Sequence, residues 1–310
     1  MADHSNRYRL FGLSVLSEVP LPELVADPGT EPADVLVRLG TIAAFPDAPA
    51  GMHLEGEDAL LVIPAAGRFL ARGGRELVVE PGEGVSPRNL RLYLLGSAFG
   101  AILHQRGLLP LHANAVVVEG RAIGFMGHPG AGKSTLAAWF HDRGFDVLAD
   151  DVCVVTSGPD GTMLAHPGIP RLRLWREALE AGGRDASTFE RSFDDMDKYT
   201  VPTDLERILP AVPLSHLYLL EKAEEAPSVT RLEGSAAVEA MIANTYRGAY
   251  VRLMGTTRRH LLACAELART VPVFRARRRW GYDAFDVEGA ALEAHARRLI
   301  LEGQSVEDSG

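Results

Sequence analysis

Gly127-His128-Pro129-Gly130-Ala131-Gly132-Lys133-Ser134-Thr135, followed after a helix-length segment by Val147-Leu148-Ala149-Asp150-Asp151, is the stretch that decides how this chain of 310 residues is read. Its first eight residues fit G-x-x-x-x-G-K-[ST], the loop whose backbone N–H groups and lysine hold nucleotide phosphates. Gly127, Gly130 and Gly132 let the backbone turn tightly and approach an anion with no Cβ in the way. A helix starting near Lys133 points its N-terminal amides at the same anion. Lys133 is then expected to neutralise the β- and γ-phosphates, and Ser134 to offer its hydroxyl to Mg²⁺. Gly127 through Thr135 form the expected nucleotide-binding set.

The surroundings suit that reading. Residues 111–118 and 121–126 read as strands joined by a tight turn at Glu119-Gly120. The glycine-rich loop follows, then a helix over 133–143 stopped by Gly144, then a strand over 145–149 that continues over 152–156. Asp150 and Asp151 close the strand after the helix, where loop NTPases place a metal-holding aspartate. Two adjacent carboxylates permit a division of labour: one holds the metal with Ser134, and the other accepts the proton of an attacking hydroxyl. The plain alternative is that one of them caps a turn.

The formal charge is −9, from 32 basic and 41 acidic residues, so no general attraction to nucleic acid or to a membrane surface is expected. Any bound anion needs a local site. With 46% hydrophobic residues the chain can bury a core. No apolar run approaches the roughly 18 residues of a spanning helix, and the first ten residues lack a signal-peptide h-region, which points to the cytoplasm. Cys153 and Cys264 have no metal-like spacing and read as buried, reduced thiols.

Outward from the loop, residues 1–85 read as a small β-rich module, with strands over 8–16, 35–39, 59–64, 68–72 and 76–79. Ser86-Pro87 opens a connecting helix over 86–107. Residues 108–301 form the larger domain and 302–310 an acidic tail expected to be disordered. Within the larger domain, 173–181 read as helical, although the alternation Arg171-Leu172-Arg173-Leu174 is also what a half-buried strand shows. Residues 182–197 read as irregular, 214–220 and 271–276 as strands, and 235–246, 258–268 and 288–301 as helices. Arg171, Arg173 and Lys198 are candidates for phosphate or substrate contact, since arginine offers a planar fork to such oxygens. The run Arg275, Arg277, Arg278, Arg279 beside Trp280 is the strongest basic cluster, read as a solvated strand end or as a docking face for an acidic peptide.

The set Leu111-His112-Ala113-Asn114-Ala115, then Gly127 to Ser134, then Gly144-Phe145-Asp146-Val147-Leu148-Ala149-Asp150-Asp151 resembles the catalytic core of the bacterial HPr kinase/phosphorylase family. That family has a histidine before the strand hairpin, a phosphate loop and an Ala-Asp-Asp motif. Lys133 follows His112 by 21 residues and Asp150 follows Lys133 by 17, spacings that fit the family. The resemblance implies an α/β fold of α+β character, a P-loop domain of the HPr-kinase-like and phosphoenolpyruvate-carboxykinase-like kind, preceded here by the β-rich module. It implies ATP and Mg²⁺ as cofactors, Asp150 as the base that activates a serine hydroxyl, which leaves Asp151 to hold the metal with Ser134, and His112 and Lys133 beside the transferred phosphate. It further implies a protein or peptide substrate with a target serine, and a homo-oligomer.

The chain departs from the family in two places. A Glu-Ile-Arg-Gly type motif, which supplies a metal-binding glutamate and serves dephosphorylation, has as its nearest counterpart His166-Pro167-Gly168-Ile169-Pro170-Arg171, with no glutamate, so phosphorylase activity is not expected. The N-terminal ninety residues look more like shorter HPr-kinase-like proteins, some of them lasso-peptide precursor kinases, so the substrate is either an HPr-like protein or a precursor peptide. A catalytically silent nucleotide-binding sensor or scaffold is the alternative from another class. A small-molecule phosphotransferase is a third.

Overall fold

Residues 8–16, which read as one strand, instead turn back on themselves. In the computed structural model, which describes residues 6–193, 196–203, 210–223 and 226–307, Phe11 and Gly12 both take positive φ, +54° and +79°. They form a two-residue hairpin between Asn6–Leu10 (β1) and Leu13–Ser17 (β2), with Leu10 opposite Leu13. A left-handed phenylalanine gives no composition signal, so this turn was invisible to strand propensity.

Among the described residues the chain divides into two compact units. The first takes the residues up to Pro110 and Tyr246–His260; the second takes those between Leu111 and Thr245 and from Leu261 onward. In the first unit β1 and β2 are joined by Val25–Ala26 (β3), Val35–Leu39 (β4), Gly51–Glu55 (β5), Asp58–Ile63 (β6), Gly67–Arg72 (β7) and Glu76–Pro81 (β8). They make one sheet in the order β3-β1-β2-β4-β8-β7-β6-β5. β4 runs parallel to both β2 and β8; the hairpins β5-β6-β7-β8 are antiparallel. Alternation puts Val35 and Val37 of β4, and Leu77 and Val79 of β8, in the core.

The segment expected as one helix is two, Pro87–Tyr93 (α1) and Phe99–Gln105 (α2), joined by a π-helical turn over Leu94–Ala98. Ser86 caps the start by accepting from the Asn89 amide at 3.3 Å, and Pro87 occupies the first turn. Gly96 and Gly100 are needed here because a Cβ on either would stand 3.3 and 3.2 Å from the Tyr246 ring system.

The second unit carries the phosphate loop. Its strands are Leu109–Leu111 (β9, shared with the end of the first unit), Ala113–Val118 (β10), Arg121–Met126 (β11), Val147–Ala149 (β12), Cys153–Ser157 (β13), Met163–His166 (β14), Arg171–Trp175 (β15), Glu190–Phe193 (β16), Met196–Pro202 (β17), Val212–Lys222 (β18), Ser228–Leu232 (β19) and Val273–Arg278 (β20). Its helices are Lys133–His141 (α3), Arg176–Ala181 (α4), Ser235–Ala243 (α5), the part of Thr257–Thr270 (α7) from Leu261 onward and Phe285–Glu307 (α8), while Ala249–Leu253 (α6) belongs to the first unit. The main sheet has the order β12-β10-β11-β18-β14-β13-β9, and β20 joins on β18 with β19 outside it. β10 and β11 are a hairpin whose Glu119-Gly120 turn has φ of +48° and +70°. β11, β18 and β20 are parallel. Fold class is therefore mixed α/β with several sheets.

Phe125 of β11 and Tyr218 of β18 stack at 5.8 Å, and Phe140 of α3 meets Phe125 at 5.6 Å. Leu292, Ala296 and Ile300 of α8 share that core. Cys153 and Cys264 are buried thiols outside any disulfide, both pushed up to about 12 by burial. Residues 302–307, expected to be disordered, continue α8, where Arg298 reaches Glu302 across one turn at 4.0 Å; residues 308–310 lie outside the described residues. No helix among the described residues is long and apolar enough to cross a membrane.

Two further expectations are corrected. Residues 173–175 are strand, with α4 starting only at Arg176, because Leu172 and Leu174 are buried on one face of a three-stranded sheet β15-β17-β16 while Arg171 and Arg173 lie on the other. The segment 182–197, read as irregular, holds β16 and the start of β17.

Candidate functional site

The loop lies between β11 and α3. Gly127, Gly130 and Gly132 have φ of +144°, +84° and +83°. Only the first is also closed in space: a Cβ on Gly127 would stand 2.8 Å from the Leu220 carbonyl oxygen of β18. Its amide donates to Asn244 Oδ1 at 2.9 Å, so an asparagine at the end of α5 anchors the entry to the loop. His128 and Pro129 form the exposed tip, and the Ala131 amide closes the turn onto the His128 carbonyl at 3.0 Å. Lys133 is buried and curls back to donate to the Gly127 carbonyl at 2.7 Å. Burial, then the nearby Lys198, lowers its pKa to about 8. Thr135 is half-buried in the first turn of α3.

β12 pairs antiparallel with β10, and this pairing carries Asp150 to the start of α3. Asp150 is buried and held by three donors. Its Oδ1 accepts from Ser134 Oγ at 3.0 Å and from Asn114 Nδ2, and its Oδ2 accepts from the Arg173 amide at 2.8 Å. Asn114 is fully buried on β10 and also faces Ser134, with Nδ2 at 3.4 Å from Oγ. Asp151 takes φ +66°, and its carboxylate pairs with the Arg173 guanidinium. Ser134 thus meets Asp150, while Asp151, expected with Ser134 at the metal, faces Arg173.

His112 stands between β9 and β10. Its amide donates to the Asn244 carbonyl at 2.6 Å and its Nδ1 lies 3.0 Å from the Asp151 carbonyl oxygen. A carbonyl only accepts, so Nδ1 carries the hydrogen and the neutral imidazole keeps its lone pair on Nε2. Burial, with Lys133, Lys198 and Arg173 adding to it, pushes the ring down to about 4.

Lys198 on β17 is in register with Trp175, and Arg173 with Thr200, so Arg171, Arg173 and Lys198 share the face opposite the buried Leu172 and Leu174. Burial first, then Arg173, lowers Lys198 to about 8, with Asp150 opposing and Arg171 adding. The structure brings together Lys133, Ser134, Asp150, Asp151, His112, Arg173 and Lys198. It adds Asn114 and Asn244, for which the sequence offered no signal beyond proximity to His112 in the first case. The basic run along β20 is divided: Arg275 and Arg277 pair with Glu221 at 3.1 and 3.6 Å, while Arg278 is buried.

Among the described residues no three His, Cys, Asp or Glu side chains cluster as a metal cage. The pair Ser134 hydroxyl and Asp150 Oδ1 nevertheless suits Mg²⁺, which is bound through one or two protein oxygens and completes its octahedron with phosphate and water.

No family model matches the chain, and no curated protein matches it in sequence. Among solved structures it is similar to the Hpr(Ser) kinase/phosphatase from Coxiella burnetii, at 12% identity and a TM-score of 0.37 over 64% of this chain and 95% of that one. A likeness at that level leaves function to be argued from this chain's own residues.

Proposed function

We propose that the chain is an ATP-dependent kinase that transfers the γ-phosphate to a serine hydroxyl of a protein or peptide. The observation that carries the reading is the contact of Ser134 with Asp150 at 3.0 Å, one residue from Lys133, where a glycine-rich loop opens a helix. The amides of Gly130 to Lys133 and the Lys133 ammonium bind the phosphate chain. The Ser134 hydroxyl and Asp150 Oδ1 would hold Mg²⁺, which would supply neutralisation of phosphate charge.

A serine hydroxyl is far too weak an acid to ionise alone at neutral pH, and Asp150 is the carboxylate nearest the loop to accept its proton. Three donors fix that carboxylate's orientation. His112, neutral in this site, and the cations of Lys198 and Arg173 line the same side and stabilise the phosphoryl oxygens. Arg173 is neutralised by Asp151, so its reach to substrate depends on that pair.

Incubation of the full chain with γ-labelled ATP, Mg²⁺ and the proteins and short peptides encoded beside it, followed by mass spectrometry for phosphoserine, tests the reading. Lys133→Ala should abolish label. ATP binding without any labelled product supports instead a silent nucleotide sensor, a reading favoured by the absence of glutamate from residues 166–171.

A further inference from the structure

β11, β18 and β20 run parallel, and the loop begins where β11 ends. Met126 is in register with Leu219, and Leu219 with Arg275, so Arg278 lies three residues beyond them at the carboxyl ends of the three strands. That edge is where open α/β sheets hold their ligands. Arg277 and Arg279 on either side are exposed, yet Arg278 is only 6% exposed. Its Nη2 stands 3.6 Å from the point where a Cβ on Gly132 would be. The guanidinium therefore sits against the residue that caps α3, at the positive end of that helix.

The compensation around it is incomplete. Glu288, in the first turn of α8, is equally buried and its Oε2 lies 3.5 Å from Arg278 Nε, but its Oε1 already accepts from the Arg279 amide at 2.9 Å. Phe285 closes the other side, with its ring 4.7 Å from Cζ. Nε and Nη1 are buried with no hydrogen-bond acceptor among the described residues. Burial pushes the guanidinium pKa down, with Glu288 opposing. A buried cation with bare donors beside a helix N-terminus is costly until an anion joins it.

We infer that Arg278 is a phosphate-contacting residue of this site, reaching the phosphate chain of the bound nucleotide with its guanidinium over Gly132, with Glu288 as its positioning residue. The inference rests on the nucleotide reading of the loop. It deepens that reading by adding a cation from β20 to the one on α3.

The test is calorimetric titration of the full chain with inorganic pyrophosphate in Mg²⁺, beside thermal unfolding without ligand. Arg278→Met alone strands Glu288 as a buried charge, so the decisive variant is Arg278→Met with Glu288→Gln. Replacing a buried pair by neutral groups is often neutral or stabilising, so its ligand-free unfolding temperature should match or exceed that of the parent. Pyrophosphate affinity should fall about 10- to 100-fold, the range of one lost charged hydrogen bond. Arg278→Lys, which keeps the charge and shortens the reach, should fall between.

Pyrophosphate binding within twofold of the parent in the double variant overturns the inference. So does a lower unfolding temperature with undiminished affinity in the folded protein, which makes the pair purely structural. If the parent itself binds neither pyrophosphate nor ATP, the nucleotide reading fails and takes Arg278 with it. Lys133-dependent binding that ignores Arg278 sinks this inference alone.

Discussion

Asp150→Asn separates the two tasks given to the site. The Asp150 carboxylate faces donors on both oxygens: Ser134 Oγ and Asn114 Nδ2 at Oδ1, the Arg173 amide at Oδ2. An asparagine has only one acceptor atom. If its oxygen keeps Asn114 and Ser134, its NH₂ faces the Arg173 N–H, and if it flips, it faces the Asn114 NH₂. Either way one buried donor loses its acceptor, which costs about 1–3 kcal/mol of stability. The loop glycines, the α3 amides and Lys133 are untouched and the amide oxygen can still face the metal beside Ser134, so at saturating Mg²⁺ ATP should still bind within a few-fold.

Transfer is a different matter, since the amide accepts no proton and base catalysis contributes about 10²–10⁴-fold. The expected result is a folded protein that melts earlier, titrates with a fluorescent ATP analogue almost as the parent does, and forms phosphoserine at least 100-fold more slowly, by roughly the lower end of that range. Two measurements suffice: nucleotide titration and single-turnover label transfer to whichever acceptor the parent phosphorylates. Transfer within tenfold of the parent removes Asp150 from the base role and leaves it as an anchor for Ser134.

Gly127→Ala and Gly130→Ala should part company. The first forces φ +144° on a side chain and drives it to 2.8 Å from a backbone carbonyl, whereas the second has φ +84° and open space. Thermal unfolding should show a loss of about 3 kcal/mol or more for the first and about 1 kcal/mol for the second; equal losses refute the geometry. Lys133 and Lys198 both lie lowered to about 8 from 10.5. A folded pKa below the unfolded value means the ligand-free fold holds fewer protons between about 8 and 10.5, so it gains stability from these lysines as pH rises through that window. Nucleotide binding has the opposite sign, because phosphate needs the ammonium, so ATP affinity should decline above about pH 8; a flat profile to pH 10 contradicts this. For His112, pushed down to about 4, stability should be lost as pH falls from 6.5 toward 4, as acid titration of the unfolding free energy will register. Asn114→Ala should raise the Mg²⁺ concentration for half-maximal transfer about 10-fold, since it removes the side chain that orients both Asp150 and Ser134.

What could be read from the sequence was local. The loop, the helix after it, the hairpin at Glu119-Gly120 and most strands declare themselves through glycine, period-two alternation or a capping serine within a few residues. β15 was ambiguous because Arg171-Leu172-Arg173-Leu174-Trp175 precedes a true helix start, and helical propensity extends backward over a strand whose reason is its pairing with β17, about 25 residues later. The π-helical turn over Leu94–Ala98 answers to Tyr246 lying over Gly96 and Gly100, which no window of neighbouring residues contains. Asn244 was illegible for the same reason. It lies 117 residues from the loop amide that it holds.

The aspartate pair shows most sharply where sequence and site diverge. Adjacent residues on a strand point to opposite faces, so Asp150-Asp151 always implied two environments; what it did not say was which carboxylate meets Ser134. One backbone torsion decides it. With Asp151 at φ +66°, the chain leaves β12 as soon as Asp150 has reached the head of α3, and the second carboxylate swings to the Arg173 guanidinium while its own carbonyl accepts from His112 Nδ1. That single left-handed residue therefore ties His112 and Arg173 to the same dipeptide, and it explains why separate candidates on β15 and before β10 converge on one site. A glycine at 151 should relax the torsion without restoring any site geometry, since the carboxylate that neutralises Arg173 is lost with it. The Arg173 amide bond to Asp150 Oδ2, at 2.8 Å, would remain.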